Sequence, residues 1–320
     1  MIIITGGYGF IGSMLLRFLQ HKGHDQLVVV DDFSRTDKAM NLQGIKEVRR
    51  VERMQCFDFL TAHADAVDFV FHLGARTDTT ETDRDLLNRL NLHYTQRLWQ
   101  WCTQHDVPLL YASSAATYGL GEHGFVDSHD VVTQLLPLNA YGDSKNDFDK
   151  WALQQPQRPP FWVGLKFFNV YGEQEYHKGR MASVVFHTFR QIQQTGGMKL
   201  FRSHRPDVAD GQQCRDFIYI EDVLRICYFF FTHQKADSGL YNVGTGQARS
   251  FWDLATATFT ALGLSPVISF IDTPPDIREK YQYFTEADLT KLRRAGYQDD
   301  FYSLEEGISR YVERLQHVYT

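Results

Sequence analysis

The feature that most restricts this chain is a glycine triplet set directly behind an apolar run. Met1–Thr5 reads as a buried strand, and Gly6-Gly7-Tyr8-Gly9-Phe10-Ile11-Gly12 follows at once. A helical apolar pattern then begins at Phe10. In such a turn the first glycine permits a tight reversal. The second lets backbone approach a pyrophosphate, and the third lets the helix pack closely on the strand. The free N–H groups at the helix start would receive the phosphates. Gly6, Gly9, Phe10, Ile11 and Gly12 are therefore expected to bind a dinucleotide. The next apolar run, Leu27–Asp31, ends in Asp31-Asp32, where an acid can hold the adenosine ribose. Asp31 alone favours NAD, because a 2′-phosphate would meet its negative charge. Arg35 and Lys38 offer the charge that NADP needs, or they are simply a solvated loop. The residues leave both cofactors open.

Short apolar runs alternate with longer amphipathic stretches, the pattern of βα units on a parallel sheet. Strands are predicted at 1–5, 27–31, 69–73, 109–113, 162–168 and 240–243. Helices are predicted at 10–21, 85–103, 141–154, 181–195, 220–232, 251–262 and 304–315. Periodicity weakens after Asn169 and again after Leu264, which suggests a second lobe built from separate segments. The division expected is a dinucleotide-binding domain, 1–168 and 216–264, with a substrate lobe, 169–215 and 265–320. Ser203–Arg215, polar and holding Pro206 and Gly211, reads as a mobile loop.

The chemistry is expected after the fourth strand. Ser113-Ser114-Ala115-Ala116 leaves that strand, and Tyr141-Gly142-Asp143-Ser144-Lys145 follows further on. Tyr141 and Lys145 stand four apart, on one helical face. A free phenol has a pKa of about 10 and is a poor base at neutrality. A nearby ammonium and a positive nicotinamide ring would favour phenolate, while Ser114 orients a substrate alcohol. Leu73-Gly74-Ala75-Arg76 forms a small-residue turn after the third of these strands, where Gly74 and Ala75 are small for a cofactor above them or for packing alone.

Composition excludes other classes. The net charge is −6 and no basic block is present, so nucleic acid is not an expected partner. No apolar run approaches the roughly 20 residues that span a bilayer. The glycine loop follows Met1–Thr5 without room for a basic signal-peptide region, so a cytoplasmic protein without membrane contact is expected. Cys56, Cys102, Cys214 and Cys227 are scattered, against both a metal site and a disulfide framework.

The glycine loop, the Tyr-x-x-x-Lys pair and Phe167-Phe168-Asn169-Val170-Tyr171-Gly172 resemble the extended short-chain dehydrogenases that act on nucleotide sugars. More narrowly, the whole chain is similar to the ADP-L-glycero-D-manno-heptose 6-epimerase family. The blocks that carry this are Tyr111–Gly119, His177-Lys178-Gly179 with Met181-Ala182-Ser183-Val184, Arg215-Asp216-Phe217, Asn242–Gly246 and Phe284–Leu289. The His-Lys-Gly block discriminates best, since generic sugar epimerases lack it.

The resemblance implies an α/β, Rossmann-type doubly wound parallel sheet with a smaller C-terminal α/β substrate lobe. It implies an isomerase that inverts C6 of an ADP-heptose, by transient oxidation and re-reduction, for lipopolysaccharide core synthesis. NADP would stay bound through turnover, and the enzyme would be a homo-oligomer, often a pentamer. Tyr141 and Lys178 would be the two acid/base residues, assisted by Ser114 and Lys145. The turn of Leu73, Gly74, Ala75 and Arg76 would pass under the cofactor with Asn91 bracing the sheet beside it, and Tyr141, Lys145, Val170 and Lys178 would also reach the cofactor. Ser114, Asn169, Arg180, His187, Phe201, Arg215 and Tyr281 would hold the sugar nucleotide. Two departures touch that side: Arg180 replaces the family's serine, and extra residues precede Arg215.

The rivals are a UDP-hexose 4-epimerase, which would leave the Lys178 block unexplained, and a 4,6-dehydratase, which needs acids where Ala115 and Ala116 stand. A non-catalytic NADP-binding sensor would have no need of both Tyr141 and Lys145. Lys178 itself has an alternative role as a phosphate clamp.

Overall fold

The computed structural model describes residues 1–46, 48–278 and 281–319. Glu47, Glu279, Lys280 and Thr320, which the expected domain division includes, lie outside the described residues.

Its centre is a seven-stranded parallel sheet. The strands are β1 (Ile2–Thr5), β2 (Leu27–Asp31), β3 (Arg49–Glu52), β4 (Phe69–His72), β5 (Leu109–Ser114), β6 (Trp162–Phe167) and β10 (Gly239–Val243). They lie in the order β10-β6-β5-β4-β1-β2-β3. β1, β2, β4, β6 and β10 are buried at every residue, as strands covered by helices on both faces must be. The chain order reverses between β1 and β4, and ligands of such sheets bind in the crevice at that point.

Three further strands, β7 (Asn169–Tyr171), β9 (Cys214–Tyr219) and β11 (Ala248–Ser250), form a small mixed sheet. β8 (Met198–Phe201) and β12 (Ile268–Ile271) pair in parallel. The helices are α1 (Phe10–His21), α2 (Cys56–Ala62), α3 (Arg84–Leu87), α4 (Tyr94–Gln104), α5 (Ala140–Gln154), α6 (Val184–Thr195), α7 (Ile220–Thr232), α8 (Phe251–Ala261), α9 (Pro275–Arg278), α10 (Thr290–Arg294) and α11 (Leu304–Tyr319).

Local chemistry sets several boundaries. α5 begins where the Asn139 side chain accepts from the Gly142 N–H at 2.8 Å, an N-cap that fixes the phase of Tyr141. α6 starts at Val184 rather than Met181, because Ser183 caps it through the Phe186 N–H at 3.2 Å. α8 is closed by a capping box of Ser250 and Asp253. The helix expected over 85–103 is not uniform: residues Asn88–His93 adopt π geometry between α3 and α4, a form that often marks functional positions. Ser203–Arg215 is not one loose loop. Arg215 lies on β9, and the preceding turn is tied by Asp210, which accepts from the Ser203 N–H at 2.8 Å.

Apolar residues fill both sheet faces. One core gathers Leu15, Leu16 and Leu19 of α1 with Val223, Cys227 and Phe230 of α7. The other sets Trp99 of α4 edge-on to Trp162 of β6, with ring centroids 5.0 Å apart. Among the described residues no helix is long and apolar enough to cross a membrane.

Candidate active site

The C-terminal ends of β1, β2, β4 and β5 open into a cavity of about 780 Å³. Its walls include Gly6, Gly9, Phe10, Ile11, Gly12, Asp31, Asp32, Lys38 and Leu73 to Arg76, then Ser114, Tyr141, Lys145, Asn169, Val170 and Lys178. Most of the residues singled out from sequence thus face one space.

The glycine loop has the shape a dinucleotide requires. Gly6 adopts φ +72°, and a Cβ there would meet the Gly74 backbone nitrogen at 2.5 Å. A Cβ on Gly12 would meet the Gly6 carbonyl oxygen at 2.2 Å. Only glycine lets the loop, the turn after β4 and α1 close on one another. α1 has no side-chain cap bond and no acid in its first turn, so its leading N–H groups remain for an anion. A pyrophosphate therefore fits here.

Asp31 is already engaged: its carboxylate accepts from the Tyr8 N–H at 3.0 Å, the Asp32 N–H at 2.8 Å and the Lys38 ammonium at 3.1 Å. Arg35 pairs with Asp37, and Arg53 approaches Asp32 at 3.5 Å. Arg53, which sequence reasoning missed, joins Arg35 and Lys38 at this end of the cavity wall.

Asn91, expected to brace the sheet, holds the turn after β4 instead. It accepts from the Arg76 N–H at 2.8 Å, donates to the Arg76 carbonyl at 3.0 Å, and donates to Ser144 Oγ on α5 at 3.0 Å. The Arg76 guanidinium is turned to Glu81 at 3.0 Å.

Beneath lies a relay absent from the sequence reading. The Gly74 N–H donates to Thr5 Oγ1 at 3.2 Å, Thr5 meets His72 Nδ1 at 2.6 Å, and His72 Nε2 meets Thr95 Oγ1 at 2.8 Å. Thr95 in turn donates to the Asn91 carbonyl. That end fixes the direction: His72 carries its proton on Nε2 and accepts at Nδ1.

Burial, then the Lys145 charge, pushes His72 down to about 3. The unfolded chain takes up this proton near pH 6.5 and the folded one does not. Stability is therefore complete above pH 6.5 and falls as pH falls towards 3. Against a His72→Gln variant, the wild type should lose about 2 kcal/mol more between pH 6.5 and pH 5, measured by urea unfolding at each pH. Parallel losses in the two proteins would mean that His72 is protonated in the fold.

Tyr141 is buried against Ser114. Burial raises the phenol above its ordinary value, Ser114 opposes this, and Asp149 adds to the rise. The net direction from the chain's own groups is upward; the expected depression also calls on the positive nicotinamide ring. Lys145 is itself pushed down to about 8 by burial, with Asp149 opposing. Its ammonium donates to the Ala112 carbonyl at 2.8 Å.

One turn further along α5, Asp149 forms a completely buried pair with Lys166 of β6 at 2.7 Å. It also accepts from Tyr111 at 2.9 Å and Ser113 at 2.7 Å. Helical spacing from Tyr141 and Lys145 was the available signal for Asp149.

Lys178 sits on a 3-10 turn, Tyr176–Met181, with its ammonium 5.3 Å from the Phe10 ring centroid. Burial lowers its pKa and Glu175 raises it. His177 touches Asn41 at 3.2 Å, and Asn41 donates to the Tyr8 carbonyl at 3.0 Å. The lysine turn is thereby docked onto the glycine loop.

The substrate-side residues divide. Asn169 and Ser114 line the cavity. Buried Arg215 belongs to a separate cluster, donating to the Cys214 carbonyl at 2.8 Å and to the Gln282 carbonyl. It lies between Phe251 at 5.6 Å and Tyr281 at 5.4 Å, and Tyr281 meets Phe201 edge-on at 6.3 Å. Asp216 instead gathers the N–H groups of Thr245, Gly246 and Ala287, while Asp222 pairs with Arg225. Arg180 is exposed and His187 half-buried on α6, and neither is in the wall of the large cavity. Among the described residues no cluster has the composition of a metal site.

Comparison with known proteins accords with this arrangement. The model of the NAD dependent epimerase/dehydratase family matches residues 2–244. A protein of Fusobacterium nucleatum named ADP-L-glycero-D-manno-heptose-6-epimerase is 46% identical, covering 98% of this chain and 97% of its own. The crystal structure of the Helicobacter pylori protein of that name superposes with a TM-score of 0.82 at 29% identity, over 98% of this chain and 96% of that one. A UDP-N-acetylglucosamine 4-epimerase from Methanobrevibacter ruminantium reaches a TM-score of 0.83 at 20% identity, over 99% and 98% of the two chains, and shares the fold alone. The chain belongs to the NAD dependent epimerase/dehydratase family.

Proposed function

We propose that this protein is an ADP-L-glycero-D-manno-heptose 6-epimerase. The observation that carries the proposal is the pair of proton carriers on one cavity, Tyr141 from α5 and Lys178 from the loop before α6. The relative at 46% identity and the matching crystal structure support the sugar and the position.

Carbon 6 of a heptose lies outside the ring, so a ketone there can turn about the C5–C6 bond. Each orientation presents its oxygen to a different proton carrier. Tyr141 and Lys178 take the proton from that oxygen on one face and return it on the other, with no net redox change. Ser114 orients the alcohol, and Lys145 assists from the next turn of α5. The dinucleotide, when bound, supplies the hydride acceptor and donor. Gly6, Gly9, Gly12 and Asp31 would hold it, with Asn91 fixing the turn beneath it. Arg215 and Tyr281, flanked by Phe201, would meet the diphosphate and base, with Asn169 nearer the sugar.

The test is incubation of purified protein with each C6 epimer of ADP-heptose, read by a separation that resolves them. Conversion to one mixture from both sides supports the proposal. Inertness on both, with turnover of a UDP-hexose, would favour a 4-epimerase.

NADP is the proposed cofactor, because Arg35, Lys38 and Arg53 gather at the ribose end of the cavity. Lys38→Ala should weaken NADP by about tenfold or more while NAD binding changes little, as expected from a lost charge-assisted contact. Equal losses in fluorescence titrations with the two cofactors would remove the assignment. A cytoplasmic homo-oligomer belongs to the same proposal and rests on the family likeness. So does the division into a dinucleotide-binding domain, 1–168 and 216–264, and a substrate lobe. The seven-stranded sheet, drawn wholly from the first set, supports that division. α8, packed on α6 and α11, blurs its edge.

A further inference from the structure

Lys178 is carried by a loop that one side chain closes. Glu175 is completely buried, and its carbonyl accepts from the Lys178 N–H at 2.9 Å. Its carboxylate reaches eight residues ahead and takes both donors of Ser183, the N–H at 2.5 Å and the hydroxyl at 2.6 Å. Ser183 also caps α6. The turn between them passes through Gly179 at φ +54°, which faces open space. The loop is thus closed by one carboxylate at its two ends, while His177 docks its middle on Asn41.

Glu175 makes no ion pair within 4 Å among the described residues. Burial raises its pKa, and Lys178 is the strongest influence opposing this. A buried carboxylate without a contact cation is costly, so a partner at a distance is informative. A contact pair would hold the ammonium down on its own loop. A separated one still favours the charged form against burial and leaves the ammonium facing the cavity.

We propose that Glu175 is a positioning residue for Lys178, holding the loop closed through Ser183 and the ammonium in place by charge without contact. This rests on the acid/base role proposed for Lys178. Lys178 is faced by Glu175 and His177 from its own loop and by the Phe10 ring from α1. His177 is neutral, pushed down to about 4 by burial and by Lys38 and Lys178; Asp37 opposes, and Arg35 adds weakly. Behind Glu175 stands Tyr311 of α11, whose hydroxyl lies near enough to feel its charge and to oppose, more weakly than Lys178 and Ser183, the rise in its pKa.

The sign follows. Glu175 raises the pKa of Lys178, so removing its charge lets burial dominate and the lysine loses its proton at lower pH. In Glu175→Gln, the pH midpoint for acylation of Lys178 by acetic anhydride, read by peptide mass spectrometry, should move down, and the alkaline limb of kcat should move with it. In Ser183→Ala, which keeps the charge, the midpoint should stay. A merely structural role would lower thermal stability in both variants and move neither midpoint nor limb.

If Glu175→Gln does not fold, Glu175→Asp carries the test. It keeps the charge but falls one methylene short of Ser183, and kcat should drop about 10²-fold through misplacement with KM little changed. An unmoved midpoint in Glu175→Gln, or wild-type kcat in Glu175→Asp, overturns the proposal while an inactive Lys178→Met leaves the acid/base reading standing. An active Lys178→Met would instead remove the reading beneath it.

Discussion

Tyr141→Phe and Lys178→Met are each expected to lower the rate of C6 epimerisation by about 10²–10⁴-fold, the usual loss for a missing general acid or base. Each change removes a proton carrier while keeping nearly the same volume, so fold and bound cofactor should survive. The two carriers stand on different elements, α5 and the loop before α6, and approach the cavity independently. If each serves one orientation of the C6 ketone, neither can cover for the other, because inversion needs both. Dismutation of an aldehyde analogue needs no inversion, so it separates the half-sites. One variant should lose oxidation and the other reduction to different extents. Near-normal epimerisation by Lys178→Met at saturating substrate, with only KM raised, would make Lys178 a phosphate clamp and Tyr141 the sole shuttle.

The second large effect is on stability. Lys166→Met should cost about 3–5 kcal/mol, since it strands the Asp149 carboxylate in a fully buried site. Asp149 would keep its bonds from Tyr111 and Ser113 but lose the only cation in contact with it among the described residues. Lys166 also donates to Thr117 at 2.8 Å and lies 5.1 Å from the Tyr118 ring centroid. The pair therefore fastens α5 to β5, β6 and the turn after Ser114. Gly164 is part of the device: a Cβ there would meet the Tyr111 hydroxyl at 2.4 Å. Urea unfolding gives the measurement. A double variant, Asp149→Asn with Lys166→Met, should recover a good part of the loss, because no unpaired charge remains. A single-variant loss below about 1 kcal/mol, the size of an exposed pair, would show that water reaches Asp149 in the fold.

What could be read from sequence was whatever short-range geometry encodes. A strand, three glycines and a helix within the first 21 residues specify a phosphate-binding turn, because each requirement falls on its neighbours. Tyr141 and Lys145 share a face by helical repeat alone. Six of the seven strands of the main sheet announced themselves as apolar runs, since a strand buried on both faces needs nothing else. β3, with only Val51 buried, carried no such signal, nor did the short strands β7, β8, β9, β11 and β12.

Tertiary structure decided the rest. Asp149 and Lys166, Glu175 and Ser183, and Thr5, His72 and Thr95 are unremarkable in sequence and become networks only when sheet and helices pack. In water each group would be satisfied alone; burial removes the water and makes the partner obligatory. The same packing buries the Tyr141 phenol, so that among the chain's own groups desolvation is the largest influence on its pKa and raises it. It also placed Arg215 on a strand between Phe251 and Tyr281, apart from the cavity that holds Tyr141 and Lys178. Local sequence chose the residue types and their spacing along each element. Which of them lost their water, and to whom, was set by the packing of elements far apart in the chain.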